Sequence, residues 1–273
     1  MIVPQASWDA YNGAVEAQAD EAARRMRAFL ATLDFSGDYE SKKAARDLAI
    51  EFFKELVGVY GDAAATIAAD FYEELAEAAG EGVPPAALAE PAEGSMEGSV
   101  RYAARNLFGQ QASAPLFMEA VERSVRTYVK KMANDTMSAN AVRDGKRHGV
   151  TFARVPTGPE TCAFCITLAS RGFVYATPET AGEFDHYHDD CDCRVVAGFG
   201  DDAGVDGYDP EAYREIYYRN VEYDEYGHVL VEDTLNSIRR EMYPLAKDAR
   251  NARRRELRRI RSGSDGGQGS PSD

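Results

Sequence analysis

Cysteine is scarce in this 273-residue chain, at four residues, and tryptophan scarcer still, at one. No stretch approaches the roughly 18 consecutive apolar residues that span a bilayer, so no transmembrane helix and no membrane partner are expected. Positive charge is in deficit: 31 Lys and Arg against 46 Asp and Glu leave a net charge of −15. Binding nucleic acid across the whole surface is thereby excluded, because phosphate contacts need clustered cations. Several catalytic strings are missing as well. There is no H-E-x-x-H of a zinc protease and no G-x4-G-K-[ST] of a P-loop enzyme. The opening Met-Ile-Val-Pro-Gln-Ala-Ser-Trp has neither a basic nor an apolar leader segment, which points to a reducing compartment.

Where the few cysteines lie is the informative feature. They form Cys162-Ala-Phe-Cys165 and then His188-Asp-Asp-Cys191-Asp-Cys193, with another histidine at His186. Zinc takes four thiolate or imidazole ligands in a tetrahedron, and a C-x2-C turn facing an H-x2-C or C-x-C turn supplies them. The set Cys162, Cys165, His188 and Cys191 is the first choice for a closed structural Zn2+ site. Successive side chains of a straight strand point to opposite faces, and two roles are left for Cys193: a fourth ligand displacing His188, or a buried thiol beneath the site. The competing reading of two disulfides requires an oxidising compartment, and a C-x2-C redox pair would want a βαβ setting. His186, Tyr187, Asp189 and Asp190 are placed to hydrogen-bond to ligands.

A zinc deaminase would pair its C-x2-C with an upstream H-x-E. Here His148 is followed by Gly149 and Val150, and Pro159 stands three residues before Cys162 rather than next to it. No catalytic residue is assigned.

Helical periodicity dominates the first half. Trp8, Tyr11, Val15, Ala19, Ala22, Met26, Phe29 and Leu33 recur at steps of three and four, the stripe of a long amphipathic helix. Asp34 to Asp38 breaks it. A second helix is expected over 42–58 with Leu48, Phe52, Leu56 and Val59 inward, and a third over 62–79 with Ile67, Phe71 and Leu75 inward. Residues 80–98, rich in Pro, Gly, Ala and Glu, read as a flexible linker. After Pro115 the residues Leu116, Val121, Val125, Tyr128 and Met132 share a helical face that ends near Gly145. Short strands are then expected at 151–155, 172–175 and 194–197, with the cysteines between them and Gly172 turning the chain back after Ser170-Arg171. Asp209 followed by Pro210 starts another helix, and a last one begins near Glu232. The segment Lys247 to Arg261, KDARNARRRELRRIR, is a basic island on an acidic chain, either a solvated helix end or a contact for DNA or an acidic protein. The Gly- and Ser-rich end should be disordered.

The string CAFCITLASRGFVY with FDHYHDDCDC resembles the signature of MuF-like minor capsid proteins, the phage head morphogenesis family, particularly the versions in actinobacterial phages and prophages. The preceding Asn134-Asp135-Thr136 helix and the later YDPEAYREIYYRNV share the resemblance. It implies a structural, non-enzymatic virion component inside the phage head or at the portal vertex, assembled in the host cytoplasm. Its partners would be the portal and other head proteins, with packaged DNA on the basic segment 247–261. A zinc-dependent enzyme acting on nucleic acid, and a cytoplasmic zinc-binding interaction protein, are the alternatives.

The expected architecture is mostly α with a small α+β module: long N-terminal helices, a zinc-knuckle module with short antiparallel strands, and C-terminal helices. By residue, 1–98 is the helical N-terminal region with its flexible linker at 80–98. Residues 99–246 form the MuF-like module with the following helices, and 247–273 the basic helix end and tail.

Overall fold

A computed structural model describes residues 1–91, 93–158, 161–176 and 193–244. Helix α1 (Gln5–Leu30) buries Trp8, Tyr11, Val15, Ala19, Ala22 and Met26, the stripe its spacing predicts. Asp38 then caps α2 (Tyr39–Leu56), its carboxylate accepting from the Ser41 amide at 2.9 Å.

The break expected after residue 58 does not occur. Helix continues through a π segment, Val57–Gly61, into α3 (Asp62–Ala79), so residues 39–79 make one rod. Glycine serves contact here rather than termination, since a Cβ on Gly61 would lie 2.9 Å from the Met132 side chain. The π turn also shifts the helical register. Leu48 and Val59, expected inward, are 54% and 60% exposed, and the buried face is Ala45, Ala49, Ile50, Phe53, Leu56 and Val57. Small alanines let the helices approach closely, and Leu48 and Val59 are left outside. Gly80, at φ 74°, ends the rod in the left-handed conformation.

Residues 80–98 are not without order. Past Gly80 the chain runs along α5 (Ala114–His148) until α4 (Glu93–Ala103) begins. Asn140 of α5 accepts from the Ala87 amide at 2.9 Å and donates to the Ala87 carbonyl at 2.8 Å, so one side chain imitates a strand partner. Thr136 accepts from the Ala89 amide, and Arg143 donates to the Pro84 and Pro85 carbonyls. Composition predicted too little apolar surface for a fixed path, but side-chain hydrogen bonds to the backbone supply one.

Helix α5 is the central element. Ser113 caps it, Pro115 sits in its first turn, and it runs past Gly145 to a left-handed Gly149 at φ 65°. Gly145 is a contact position instead of a cap, because a Cβ there would stand 3.0 Å from the Val150 carbonyl oxygen. Leu116 is 53% exposed, while Val121, Val125 and Met132 are buried as expected. Helices α1 and α3 pack on α5, and one apolar core runs from Val3 to Val205.

Strand β2 (Thr151–Pro156) pairs antiparallel with β3 (Cys193–Gly198), with Thr151 opposite Gly198 and Pro156 opposite Cys193. The expected strand at 172–175 is reduced to a bridge between Tyr175 and Phe152. Gly198 packs so tightly that a Cβ there would clash with the Phe173 ring. Strand β1 (Ile2–Val3) pairs parallel with β4 (Gly204–Val205), which ties the amino end to the hairpin. Between β2 and β3 the chain forms α6 (Ala163–Ala169) and the turn at Gly172, φ 68°. Asp209 and Pro210 open α7 (Pro210–Asn220) as expected, and residues 231–244 are helical. Helix α6 packs against these last two through Ile166 and Ile238, joined by Tyr213, Ile216 and Leu235.

Asn140→Ala should lower stability by about 2 kcal/mol, because it leaves the Ala87 N–H and C=O unpaired. Urea unfolding measures that loss, and limited elastase digestion should cut first within 81–91.

Candidate metal centre

Cys162 is the N-cap of α6: its sulfur accepts from the Cys165 amide at 3.2 Å, which coils the C-x2-C turn into the helix start. Cys165, one turn on, is fully buried. Cys193 begins β3, and its side chain shares a face of the hairpin with Arg154 of β2. The Cys165 and Cys193 sulfurs stand 3.0 Å apart. The Arg154 guanidinium, 1% exposed, donates to the Cys193 sulfur from Nε at 3.1 Å and from a terminal nitrogen at 2.7 Å. Among the described residues, Cys162, Cys165 and Cys193 form no disulfide with one another.

The structure thus joins three of the five expected ligand residues in one module, with Cys165 and Cys193 in direct contact. His188 and Cys191, with His186, Tyr187, Asp189 and Asp190, lie outside the described residues, as does the basic segment 247–261. Among the described residues no group of three or more His, Cys, Asp or Glu is disposed to hold a metal ion.

On one edge of β3, away from β2, two backbone groups face the helices. The Asn134 side chain of α5 accepts from the Val195 amide at 3.0 Å and donates to the Cys193 carbonyl at 3.2 Å. Asn134 is 2% exposed, so the contact is shielded from solvent. This contact fixes the start of β3, and with it the Cys193 backbone, against the central helix.

Adjacent residues of β3 place their side chains on opposite faces. Cys193 turns toward α6, and Arg194 toward α1 and α5. Arg194 is completely buried and pairs with Glu16 of α1 at 2.5 Å; Lys130 of α5 reaches the same carboxylate at 2.6 Å. Burial works to raise the Glu16 pKa, but Arg194 and Lys130 together hold it below the ordinary carboxylate value. Burial also pushes the neighbouring Tyr11 hydroxyl up to about 12, against the opposing pull of Arg194. The Tyr11 hydroxyl and two Arg194 nitrogens are buried and have no hydrogen-bond partner among the described residues.

Sequence reasoning missed both arginines. Their signal was present as a single charge inside each apolar strand, in TFARVP and CRVVAG. A cation at such a position needs a buried partner.

Residues 2–220 match the family model described as VG15 protein. The chain belongs to the VG15 family. This is a viral, phage-type protein family, and the matched span holds α1 through α7, the cysteine module included. No curated protein and no solved structure matches the chain. Among the described residues no helix is long and apolar enough to cross a membrane.

Breaking a buried ion pair costs about 3–5 kcal/mol. Glu16 is 35% exposed, so solvent screening reduces the expectation for Glu16→Gln to about 2 kcal/mol at pH 7. A carboxylate whose folded pKa is depressed stabilises the fold above its unfolded value and loses that contribution as pH falls through the folded one. The gap between wild type and Glu16→Gln, measured by urea unfolding, should therefore be full above the ordinary value of 4.5 and close as the solution is acidified below it.

Proposed function

We propose that this VG15 protein is a structural minor capsid protein of a tailed phage, acting in head assembly beside the portal, with its cysteine module stapled by a structural zinc ion. The observation that carries the reading is the VG15 match over residues 2–220. Its support is the MuF-like cysteine string, whose residues Cys165 and Cys193 lie 3.0 Å apart. Two thiols this close, with a third on the same short helix, are the donor chemistry zinc prefers. The remaining donor would come from His188 or Cys191.

The role of such an ion here is mechanical. Among the described residues the second apolar cluster around α6 has only Ala163, Ile166 and Ile238 buried, too little to hold α6, α7 and residues 231–244 firmly. A bound ion ties α6 to β3, and Asn134 ties β3 to α5. The long helices then offer exposed faces to the portal and other head proteins, and segment 247–261 offers cations to packaged DNA.

Native mass spectrometry of the protein purified under reducing conditions should show one zinc per chain, removed by a strong chelator with a fall in melting temperature. Co-expression with the portal protein of the same phage should give a stable complex. Metal-dependent cleavage of DNA by the purified chain would instead support a nucleic-acid enzyme.

A further inference from the structure

After α7 the chain turns back on itself before its last helix, and its own backbone orders the turn. The Leu230 amide donates to the Glu222 carbonyl at 2.8 Å, the Asp224 amide donates to the His228 carbonyl at 2.9 Å, and Tyr223 bridges antiparallel to Val229. Inside the turn the Asp224 carboxylate accepts from the Tyr226 and His228 amides at 2.9 and 2.8 Å, and Gly227 takes the left-handed conformation at φ 84°. At the base the buried Thr234 hydroxyl accepts from the Glu222 amide at 3.0 Å. Residues 222–231 are therefore a stiff finger. Even so, Tyr223, Tyr226, Val229, Leu230 and Val231 are all exposed on it, Tyr226 at 78%. Its carboxylates Glu222, Asp224 and Glu225 are unmixed with any Lys or Arg. An ordered projection that holds five large apolar side chains in water marks a contact surface.

A surface of complementary character flanks the start of α5. Between α4 and the first turns of α5 lies a groove of about 220 Å³, lined by Tyr102, Arg105, Leu116 and Arg123 among others. Tyr102 and Leu116 are exposed, and the Arg105 guanidinium stacks on the Tyr102 ring at 3.8 Å. Among the described residues Arg105 pairs with no carboxylate, and Glu222 and Glu225 pair with no cation. Each surface thus offers exposed aromatic and aliphatic groups beside a charge of the sign the other lacks.

We infer that the finger of one copy docks in the α4–α5 groove of a second copy, with Tyr226 and Val231 against Tyr102 and Leu116 and a finger carboxylate on Arg105. No finger residue lines the groove of its own chain. The groove flanks Leu116, and β3 is anchored at Asn134, about 27 Å away along α5 at 1.5 Å per residue; the finger is carried by α7 and residues 231–244, which pack on α6. Two chains of net charge −15 repel, but that repulsion is screened beyond about 8 Å at physiological ionic strength, so local pairing decides the docking. Finger and groove are different surfaces, and every copy carries one of each. Their contact is head to tail and adds copies into a ring or an open chain. A finger of this size makes an interface at the small end, below about 1,200 Å², so association is weak and grows with concentration.

The test is sedimentation velocity of the full chain over rising concentration, with folding checked by circular dichroism. Wild type should sediment as one chain when dilute and shift toward dimers and larger species when concentrated. A finger variant, Tyr226→Ser with Val231→Ser, and a groove variant, Arg105→Glu with Leu116→Ser, should each keep the mass of one chain. Mixed in equal amounts, they should give a species of twice that mass and nothing larger, because the pair retains one intact finger and one intact groove that can meet. Should either double variant not fold, Tyr226→Ser and Arg105→Glu, both at exposed positions, replace them. A wild type that keeps the mass of one chain at every concentration, a folded groove variant that associates as wild type does, or a mixture that stays at the mass of one chain would each overturn the inference.

Discussion

A two-stranded ribbon enclosed by helices has a problem that larger sheets do not: its outer edges carry backbone groups that neither a third strand nor water can satisfy. In this fold that constraint governs the centre of the molecule. On the β2 edge, Tyr175 contributes a single bridge to Phe152. On the β3 edge, Asn134 supplies one donor and one acceptor in the spacing of a missing strand. Two turns along α5, Asn140 does the same for Ala87 in the extended segment before α4. Thus α5 is both the principal packing partner of α1 and α3 and the template on which two non-helical segments are laid out.

Polar residues inside a long helix ordinarily weaken it or face solvent. Here Asn134, Thr136, Asn140 and Asp144 are all buried along one helix, and their positions are explained by what they hold rather than by helix propensity. Asp144 completes the row. Burial works to raise its pKa, but hydrogen bonds from Arg143 and from the Tyr72 hydroxyl, 2.7 Å away, keep it below the ordinary carboxylate value. Tyr72 belongs to α3, so the same run of side chains also ties the helical rod to α5.

The legible parts of the sequence were those governed by a repeating apolar stripe or by a capping residue. The α1 stripe and the Asp209-Pro210 start depend on local chemistry and came out as read. The inward face of α2 did not, because the reading gave weight to Leu48 and Val59, whereas close helix packing selected Ala45 and Ala49. The glycines near residue 60 looked like a break because a helix terminus and a close approach both call for glycine, and only the position of Met132 separates the two. The linker was misread for a related reason. Hydrophobic content says nothing of hydrogen-bonding side chains 47 to 59 residues away in sequence. At the cysteine module, spacing singled out the cysteines but not what surrounds them, since Arg154 and Asn134 become meaningful only when the hairpin is laid against α5 and α6.

Two neighbouring residues of β3 connect the halves of the molecule. Cys193 faces α6 and the cysteine module; Arg194 faces α1 and α5, where Glu16 and Lys130 meet it. Because strand geometry sends consecutive side chains to opposite faces, a displacement of β3 that moved Cys193 relative to α6 would also move a fully buried guanidinium relative to its carboxylate. Both contacts resist such a displacement: breaking a buried ion pair costs about 3–5 kcal/mol, and a buried donor left without its acceptor costs about 1–3 kcal/mol. The hairpin therefore transmits position between the helical body and the cysteine module. Whatever fixes the cysteines, metal included, fixes the seat of α1 on the hairpin at the same time.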